Sequence, residues 1–511
     1  MDAWLWVLVV LLAVAAVVFA YDVIQRRHAI LHNFPVIGHL RYLLEKIGPE
    51  MRQYIVTDNN EERPFTRDQR RWVYASSKRQ NNRFGFGSDN EMESAANYLI
   101  IKQVAFPPLV DALHSIENVS AEEAFRIPAA KVLGAARGRT HAFRPASVVN
   151  ISGMSFGALS GRAIETLNKG ARIARCLQST GEGGLSPYHR HGADLNFQIG
   201  TGYFGCRDDA GRFSLDQLEA TLADAPVCAI EIKISQGAKP GLGGILPAAK
   251  VTPEIARIRG ARAGEDCISP PSHSAFRNAD ELLDFAESIA DRTGLPVGIK
   301  SAVGQMDFWR DLARQMVGGD RGLDFIVIDG GEGGTGAAPL AFTDHVSLPF
   351  KVGFSRVYDE FARAGIADRV VFVGSGKLGF PEASLMAFAL GCDMVNVGRE
   401  AMLAIGCIQS QRCHTDRCPT GVTTHKRWRV AGLDPELKSH RLANYIITLR
   451  GELLALARTA GSPHPALVSA DVVELLDERF GARTIAEVFG YEPGWGVPSA
   501  SRAAEIAALM T

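Results

Sequence analysis

The chain opens on an almost unbroken apolar run from Ala3 to Tyr21, with Trp4, Trp6 and Tyr21 near its ends. A helix of about 19 apolar residues can cross the hydrocarbon core of a bilayer, and aromatic rings favour its two interfaces. A cleaved signal peptide is the competing reading. Asp2 precedes the run, however, and Arg26-Arg27 follow it. By the positive-inside rule, residues 1–21 then form a single-pass anchor with the catalytic body in the cytoplasm. Residues 22–146 show no clear period and read as an N-terminal region that packs on the domain beginning at residue 147. Within them, the basic stretch Arg67–Arg83 reads as a lipid-headgroup or partner-docking surface, or more simply as a solvated loop and edge. Ala121 to Ala136 suggests a short helix and connector.

From Ser147 the pattern changes. Short apolar runs end in glycine or small polar residues and are followed by helix-length segments. The runs predict strands near Val148–Ile151, Arg175–Ser179, Phe197–Thr201, Val227–Ile234, Val297–Lys300, Phe325–Asp329, Val370–Val373 and Met394–Val397. Eight strands alternating with helices predict an α/β fold, a (β/α)8 TIM barrel over residues 147–430. An open doubly wound sheet fits less well, because no G-x-G-x-x-G opens a first helix. Beyond residue 430 the pattern predicts a C-terminal helical extension, 431–511, with helices at Ser439–Thr459 and Ala470–Arg479.

Composition narrows the function. The 511 residues carry a formal net charge of −1, which gives no support to nucleic-acid binding. Eight cysteines are too few for a disulfide scaffold. Cys176, Cys206, Cys228, Cys267 and Cys392 are scattered and read as small buried hydrophobes. Cys407, Cys413 and Cys418 fall close together, with Pro419 after the last. Thiolates this close in a reduced protein suit a metal or an iron–sulfur cluster, three ligands matching three irons. Zinc stays open on spacing alone, because His414 or His425 would complete a Cys3His set.

In a barrel the reactive groups gather at the carboxyl ends of the strands, with phosphate after the seventh and eighth. Those two ends read Gly374-Ser375-Gly376-Lys377 and Gly398-Arg399, glycine-lined and basic. Asp329 to Pro339, which includes Gly331 and Glu332, is rich enough in glycine to bring backbone against a flat ligand. Lys300 ends an apolar strand and suits a cofactor carbonyl or anion. Ser152 to Ser160 is a small-residue turn able to hug a ring. Thr180-Gly181-Glu182-Gly183-Gly184 carries one carboxylate. Alternation sends Glu231 and Lys233 to one face, and the loop beyond carries Gln236 and Lys239.

The runs MSFGALS, TGEGG, EIKISQGAKPG, SPPSH, GGTGA and C-x5-C-x4-C-P occur in this order and together resemble the flavin-binding synthase domain of glutamate synthase. The resemblance spans roughly Ser147 to Thr424. It implies FMN, a [3Fe-4S] cluster on Cys407, Cys413 and Cys418, and electrons passing from cluster to flavin to reduce an imine of a 2-oxo acid and ammonia. It implies flavin-ring contacts at Ser152, Met154, Gln198 and Lys300, and phosphate contacts at Gly376 and Gly398 with their neighbours. Lys239 would bind the substrate carboxylate and Glu182 would handle imine or ammonia. The implied partners are a small-molecule substrate (2-oxo acid or amine) and an electron-donor protein such as ferredoxin or a reductase subunit; a homo-oligomer stays open. Three departures stand out. Ile245 occupies the position of a family glutamine, which puts 2-oxoglutarate in question; the glutaminase domain is absent from this sequence; and the apolar N-terminal run is foreign to the large synthases. A redox relay to a membrane partner and a membrane scaffold are the other function classes. Intact Glu182 and Lys239 argue against the relay, and the complete cysteine triad against the scaffold.

Overall fold

The computed structural model describes residues 3–25, 27–83, 87–92, 95–108, 125–477, 479 and 481–510. The chain divides into two compact units, Met1–Arg71 and Trp72–Thr511. In the first, the apolar run is a helix, Ala3–Ile24, three residues longer than the run itself. It is long and apolar enough to cross a membrane.

The second unit is built on eight parallel strands that close into a barrel. They are β1 (Val149–Ile151), β2 (Gln178–Ser179), β3 (Leu195–Ile199), β4 (Val227–Lys233), β5 (Val297–Ser301), β6 (Phe325–Asp329), β7 (Val371–Ser375) and β8 (Met394–Val397). Each pairs with the next, and β8 closes on β1 through Val395↔Val149 and Val397↔Ile151. The open doubly wound sheet is thereby excluded. The strands are buried on both faces, as the apolar runs require in a sheet covered by helices. Ala129, Leu133, Ala229, Phe325, Val327, Val371, Val373 and Met394 fill one layer of the interior. Leu133 enters it from a bridge with Phe143 that precedes β1.

Between β4 and β5 the chain makes a long excursion. It forms a two-stranded antiparallel ribbon (Ile245–Leu246 with Cys267–Ile268) and a helix, Pro253–Arg259, whose amino end is capped by Thr252. That excursion carries the loop with Lys239 over the barrel mouth.

The long C-terminal helix Pro435–Thr459 packs on helix Gly161–Ala174, which follows β1. A Cβ on Gly170 would stand 2.6 Å from a Leu442 methyl and 2.9 Å from the Ser439 carbonyl. Alanine there gains about 1 kcal/mol of helix propensity but must push the helices apart, which costs about 1–3 kcal/mol. Gly170→Ala is therefore expected to lower the thermal midpoint; a higher midpoint would show that the two helices have room.

Three expectations are corrected. Ala470–Arg479 is not a helix: after one turn it becomes strand Val473–Leu476, paired with Leu99–Ile101 and Ala482–Thr484. Consecutive Val472-Val473 and a waiting partner strand override the helical pattern. The C-terminal extension is thus only partly helical. The expected helix at 121–136 lies partly outside the described residues, and its described part holds a single turn, Ala135–Arg137. The basic stretch is only partly the expected loop: Arg67–Ser77 is a helix, and residues 78–83 are a mostly exposed turn and loop. Trp72 packs tilted against Phe380 and edge-on against Tyr445, while its indole N–H and Asn82 donate to Glu452 of the long helix.

Candidate functional site

Strand alternation places Glu231 and Lys233 on one face of β4, as expected, and each meets the mouth of the barrel differently. Glu231 is buried and accepts hydrogen bonds from Gln198 Nε2 and, at 3.1 Å, from Asn196 Nδ2. Burial pushes its carboxyl above the usual range, against the pull of Lys300 and the Gln198 bond. It fixes Gln198 from below. The Gln198 amide in turn lies over Gly153, where a Cβ would stand 2.7 Å from its nitrogen.

Lys300 stands one residue before the end of β5. Its ammonium donates to Ser152 Oγ at 3.3 Å and pairs with Asp329 at 3.6 Å. Burial would raise the Asp329 carboxyl, but Lys300, the Ser375 hydroxyl and the Gly237 N–H at 2.8 Å hold it below the usual range. Ser152, Gln198, Lys300, Asp329 and Ser375 thus form one polar ring on the strand ends. Met154 stands half-buried just beyond Ser152.

The glycine loops close around this ring. Gly376 has φ +124°, a conformation for glycine, and a Cβ on it would stand 3.1 Å from Gly330 N. Above Gly398 a Cβ would meet only Ser152 Cβ, at 3.6 Å. So the expected phosphate loops of β7 and β8 border the expected ring contacts. The Gly331 N–H is bonded to the Leu348 carbonyl at 2.9 Å. Arg399 donates to the Glu332 carbonyl and ties the β8 loop to the β6 loop.

The second half of the site is a cleft of about 320 Å³ bordered by Glu182, Lys233, Gln236, Lys239 and Gly244. Lys233 Nζ donates to Glu182 Oε1 at 2.6 Å. Burial works to raise the Glu182 carboxyl, but Lys233, Lys239 and Arg259 outweigh it and keep it ionised. Lys239 is buried and donates to the Gly243 carbonyl at 3.0 Å. Burial lowers its pKa and Glu182 opposes the shift. The structure therefore brings Glu182 and Lys239 together, and adds Lys233 between them. The cleft and the polar ring adjoin, since Lys233 and Lys300 are register partners on β4 and β5. His273 of the SPPSH run supports the junction, bonded to the Lys233 carbonyl at 2.9 Å and the Tyr203 hydroxyl at 3.1 Å.

Ile245 lies elsewhere. It is 54% exposed on the ribbon and does not border the cleft.

Cys413 and Cys418 both lie near Thr423, and Cys418 Sγ also meets the Thr420 hydroxyl at 3.5 Å. Burial raises the Cys413 thiol, with Thr423 opposing. For Cys418, the polar surroundings of Thr420 and Thr423 outweigh burial, so its thiol is shifted toward thiolate. Cys407 Sγ accepts from Gln409 N at 3.4 Å, and its carbonyl is held by the Tyr74 hydroxyl at 2.8 Å. Among the described residues no three His, Cys, Asp or Glu side chains converge on a single-ion position. His425 Nε2 is bonded to the Gly157 carbonyl at 2.9 Å. Gly336 abuts the cysteine loop, with a Cβ there 2.7 Å from Cys413 Cβ. The β6 loop thus reaches from the polar ring to the cysteines.

Sequence reasoning missed Lys250. It is 2% exposed, with its ammonium on the Ala158 carbonyl at 2.6 Å and the Cys413 carbonyl at 3.3 Å. Burial lowers its pKa to about 8, while Cys413, Asp416 and Cys418 pull the other way. No local signal marks it, because one lysine before a helix cap reads as surface.

The family described as the conserved region in glutamate synthase matches residues 116–463. A glutamate synthase large subunit-like protein of Bacillus subtilis is 36% identical over 493 residues, which cover 91% of this chain and 93% of that protein. An archaeal glutamate synthase [NADPH] of Methanocaldococcus jannaschii is 35% identical over 319 residues, covering 61% of this chain. This chain spans 59% of that second protein, less than two thirds of its length. A solved flavocytochrome b2 mutant with pyruvate bound aligns at 14% identity over 93% of this chain and 92% of its own, with a TM-score of 0.44.

Proposed function

The chain belongs to the glutamate synthase family, and from that we propose that this glutamate synthase-type oxidoreductase reduces an imine formed from a 2-oxo acid and ammonia. The observation that carries the reading is the cleft itself: one carboxylate and two ammonium groups, Glu182, Lys233 and Lys239, beside the polar ring at Lys300. Two cations around one anion leave net positive charge, which suits a carboxylate substrate.

FMN fits the mouth. Lys300, Ser152 and Gln198 offer donors to a ring, Gly153 leaves room for the Gln198 amide, and the β7 and β8 loops offer glycine backbone to a phosphate. We read Cys407, Cys413 and Cys418 as the ligands of a [3Fe-4S] cluster, a reading supported by their spacing in the sequence and by the shift of the Cys418 thiol toward thiolate. Bound FMN would supply hydride for the imine carbon and the cluster would supply electrons singly. This chain's residues do the rest. Lys239 binds the oxo-acid carboxylate. Glu182, held ionised, orients ammonia and accepts its proton at Oε1 or Oε2, with Lys233 keeping the carboxylate in place. Glu231 positions Gln198 without touching substrate. The electrons come from a protein donor such as ferredoxin or a reductase subunit.

We read helix Ala3–Ile24 as a single-pass anchor that keeps the barrel cytoplasmic; its length, apolarity and exposure support this.

The test is reoxidation of the anaerobically reduced, flavin-loaded protein by 2-oxo acids plus ammonium. Reoxidation by none of them overturns the imine reading and favours a redox relay. Because Ile245 is exposed and does not border the cleft, Ile245→Gln is expected to change kcat/KM for 2-oxoglutarate less than about twofold. A gain of tenfold or more would place that residue in the substrate site.

A further inference from the structure

The first unit holds an apolar face that the barrel chemistry does not use. Helix Gly38–Met51 places Leu40, Leu43, Leu44, Ile47 and Met51 within about 100° of arc, at 100° per residue. All five are exposed, Leu40, Leu43 and Leu44 by more than half of their surface. Arg41, Glu45, Lys46 and Glu50 occupy the remainder, and Arg41 and Glu45 pair at 2.9 Å. Exposed Ile55 and Val56 extend the apolar surface beyond the helix. A face this clean, open along the whole helix, is unlike the scattered apolar residues of an ordinary surface.

Its place is set by Asp22, in the last turn of Ala3–Ile24 and fully buried. The Asp22 carboxylate accepts from Val36 N–H at 2.9 Å and meets His39 Nε2 at 3.0 Å. The start of helix Gly38–Met51 is therefore pinned to the end of helix Ala3–Ile24. Gly38 tightens the corner, since a Cβ there would stand 3.1 Å from a Leu31 methyl and 3.2 Å from the Ile30 carbonyl. If Ala3–Ile24 spans the bilayer, its last turn lies at the interface, and helix Gly38–Met51 begins there with no slack.

We propose that helix Gly38–Met51 lies along the cytoplasmic surface of the bilayer with Leu40, Leu43, Leu44, Ile47 and Met51 in the acyl boundary. This rests on the anchor reading above and deepens it: the anchor becomes a spanning helix with an interfacial arm. The partner is phospholipid in general. The helix balances Arg41 and Lys46 against Glu45 and Glu50, so apolar burial drives the contact and anionic lipid is not needed.

The experiment uses the full chain in nanodiscs of neutral phosphatidylcholine, with the photoreactive residue p-benzoylphenylalanine at Leu12, Leu44 or Glu45 in separate variants. All three positions are exposed, so the substitutions leave packing intact. Irradiation is expected to attach lipid at Leu12 and Leu44, and about tenfold less at Glu45 on the opposite face. Lipid at Leu12 without lipid at Leu44 overturns the proposal and leaves the anchor standing. Cross-links from Leu44 to a second copy, or to residues 72–511, overturn it in favour of a protein partner. Lipid at neither position overturns both readings.

Discussion

Lys239→Met is expected to lower kcat/KM for the oxo acid by about 10²–10³, mainly through KM, with flavin and iron contents unchanged. Methionine keeps the bulk and apolar stem of the side chain but removes the ammonium. Lys239 is buried beside Glu182 and Lys233, in a place where water cannot replace a lost charge. Removing one partner of a buried, hydrogen-bonded charge pair costs about 2–5 kcal/mol, and about 3–4 of these correspond to the stated loss. Glu182→Gln should behave differently. The amide keeps the shape and one acceptor for Lys233, yet cannot take a proton, so kcat should fall while the binding of the oxo acid holds or tightens. Titration of the flavin absorbance with oxo acid, without ammonium, separates the two. Equal oxo-acid affinity in wild type and Lys239→Met would remove Lys239 from carboxylate binding.

Cys418→Ser is expected to abolish the iron–sulfur cluster, dropping iron from about three per chain to nearly none. The thiol of Cys418 is the one shifted toward thiolate, through Thr420 and Thr423. A serine hydroxyl in the same place stays protonated and is a poor ligand for iron. Cys413 would remain, half-buried and with its thiol raised by burial, without its neighbour Cys418. The measurement is metal analysis with low-temperature paramagnetic resonance of the oxidised protein. Wild-type protein carrying zinc and no iron would overturn the cluster. A variant retaining full iron would show that the third ligand is another residue. Flavin content is expected to persist, because the polar ring at Lys300 and Ser152 shares no side chain with Cys418.

Much of the fold could be read locally. Strands such as Phe325–Asp329 and Met394–Val397 are short β-branched or apolar runs ended by small residues, and the structure places both as read. Boundaries drifted where polar residues join a strand, as at Leu195–Ile199, because a barrel interior accepts Asn196 and Gln198 once Glu231 pairs with them. The segment after Ala470 misled for a related reason. Its helical pattern is weak, and the pairing of Val473–Leu476 with Leu99–Ile101 joins residues far apart in sequence.

The candidate site divides in the same way. Glycine loops at strand ends and three close cysteines are local statements, so spacing alone brought Gly376, Gly398, Cys413 and Cys418 forward. The partners of those groups are not local. Glu182 meets Lys233 across 51 residues, and Lys250 meets Cys413 across 163. Ile245 drew attention because it stands at the position of a family glutamine, but it lies exposed on the ribbon.

By itself the sequence determined the alternation of strands and helices, the glycine-lined strand ends, the cysteine spacing and the apolar N-terminal helix. Each depends on residues a few positions apart, where backbone geometry and periodicity act directly. Only the tertiary structure decided which charges pair at the barrel mouth, that Lys250 stands behind the cysteine loop, and that Asp22 pins an exposed apolar helix to the end of the first. Those outcomes depend on the paths of loops between elements, which close contacts such as Gly336 against Cys413 select and no local pattern encodes.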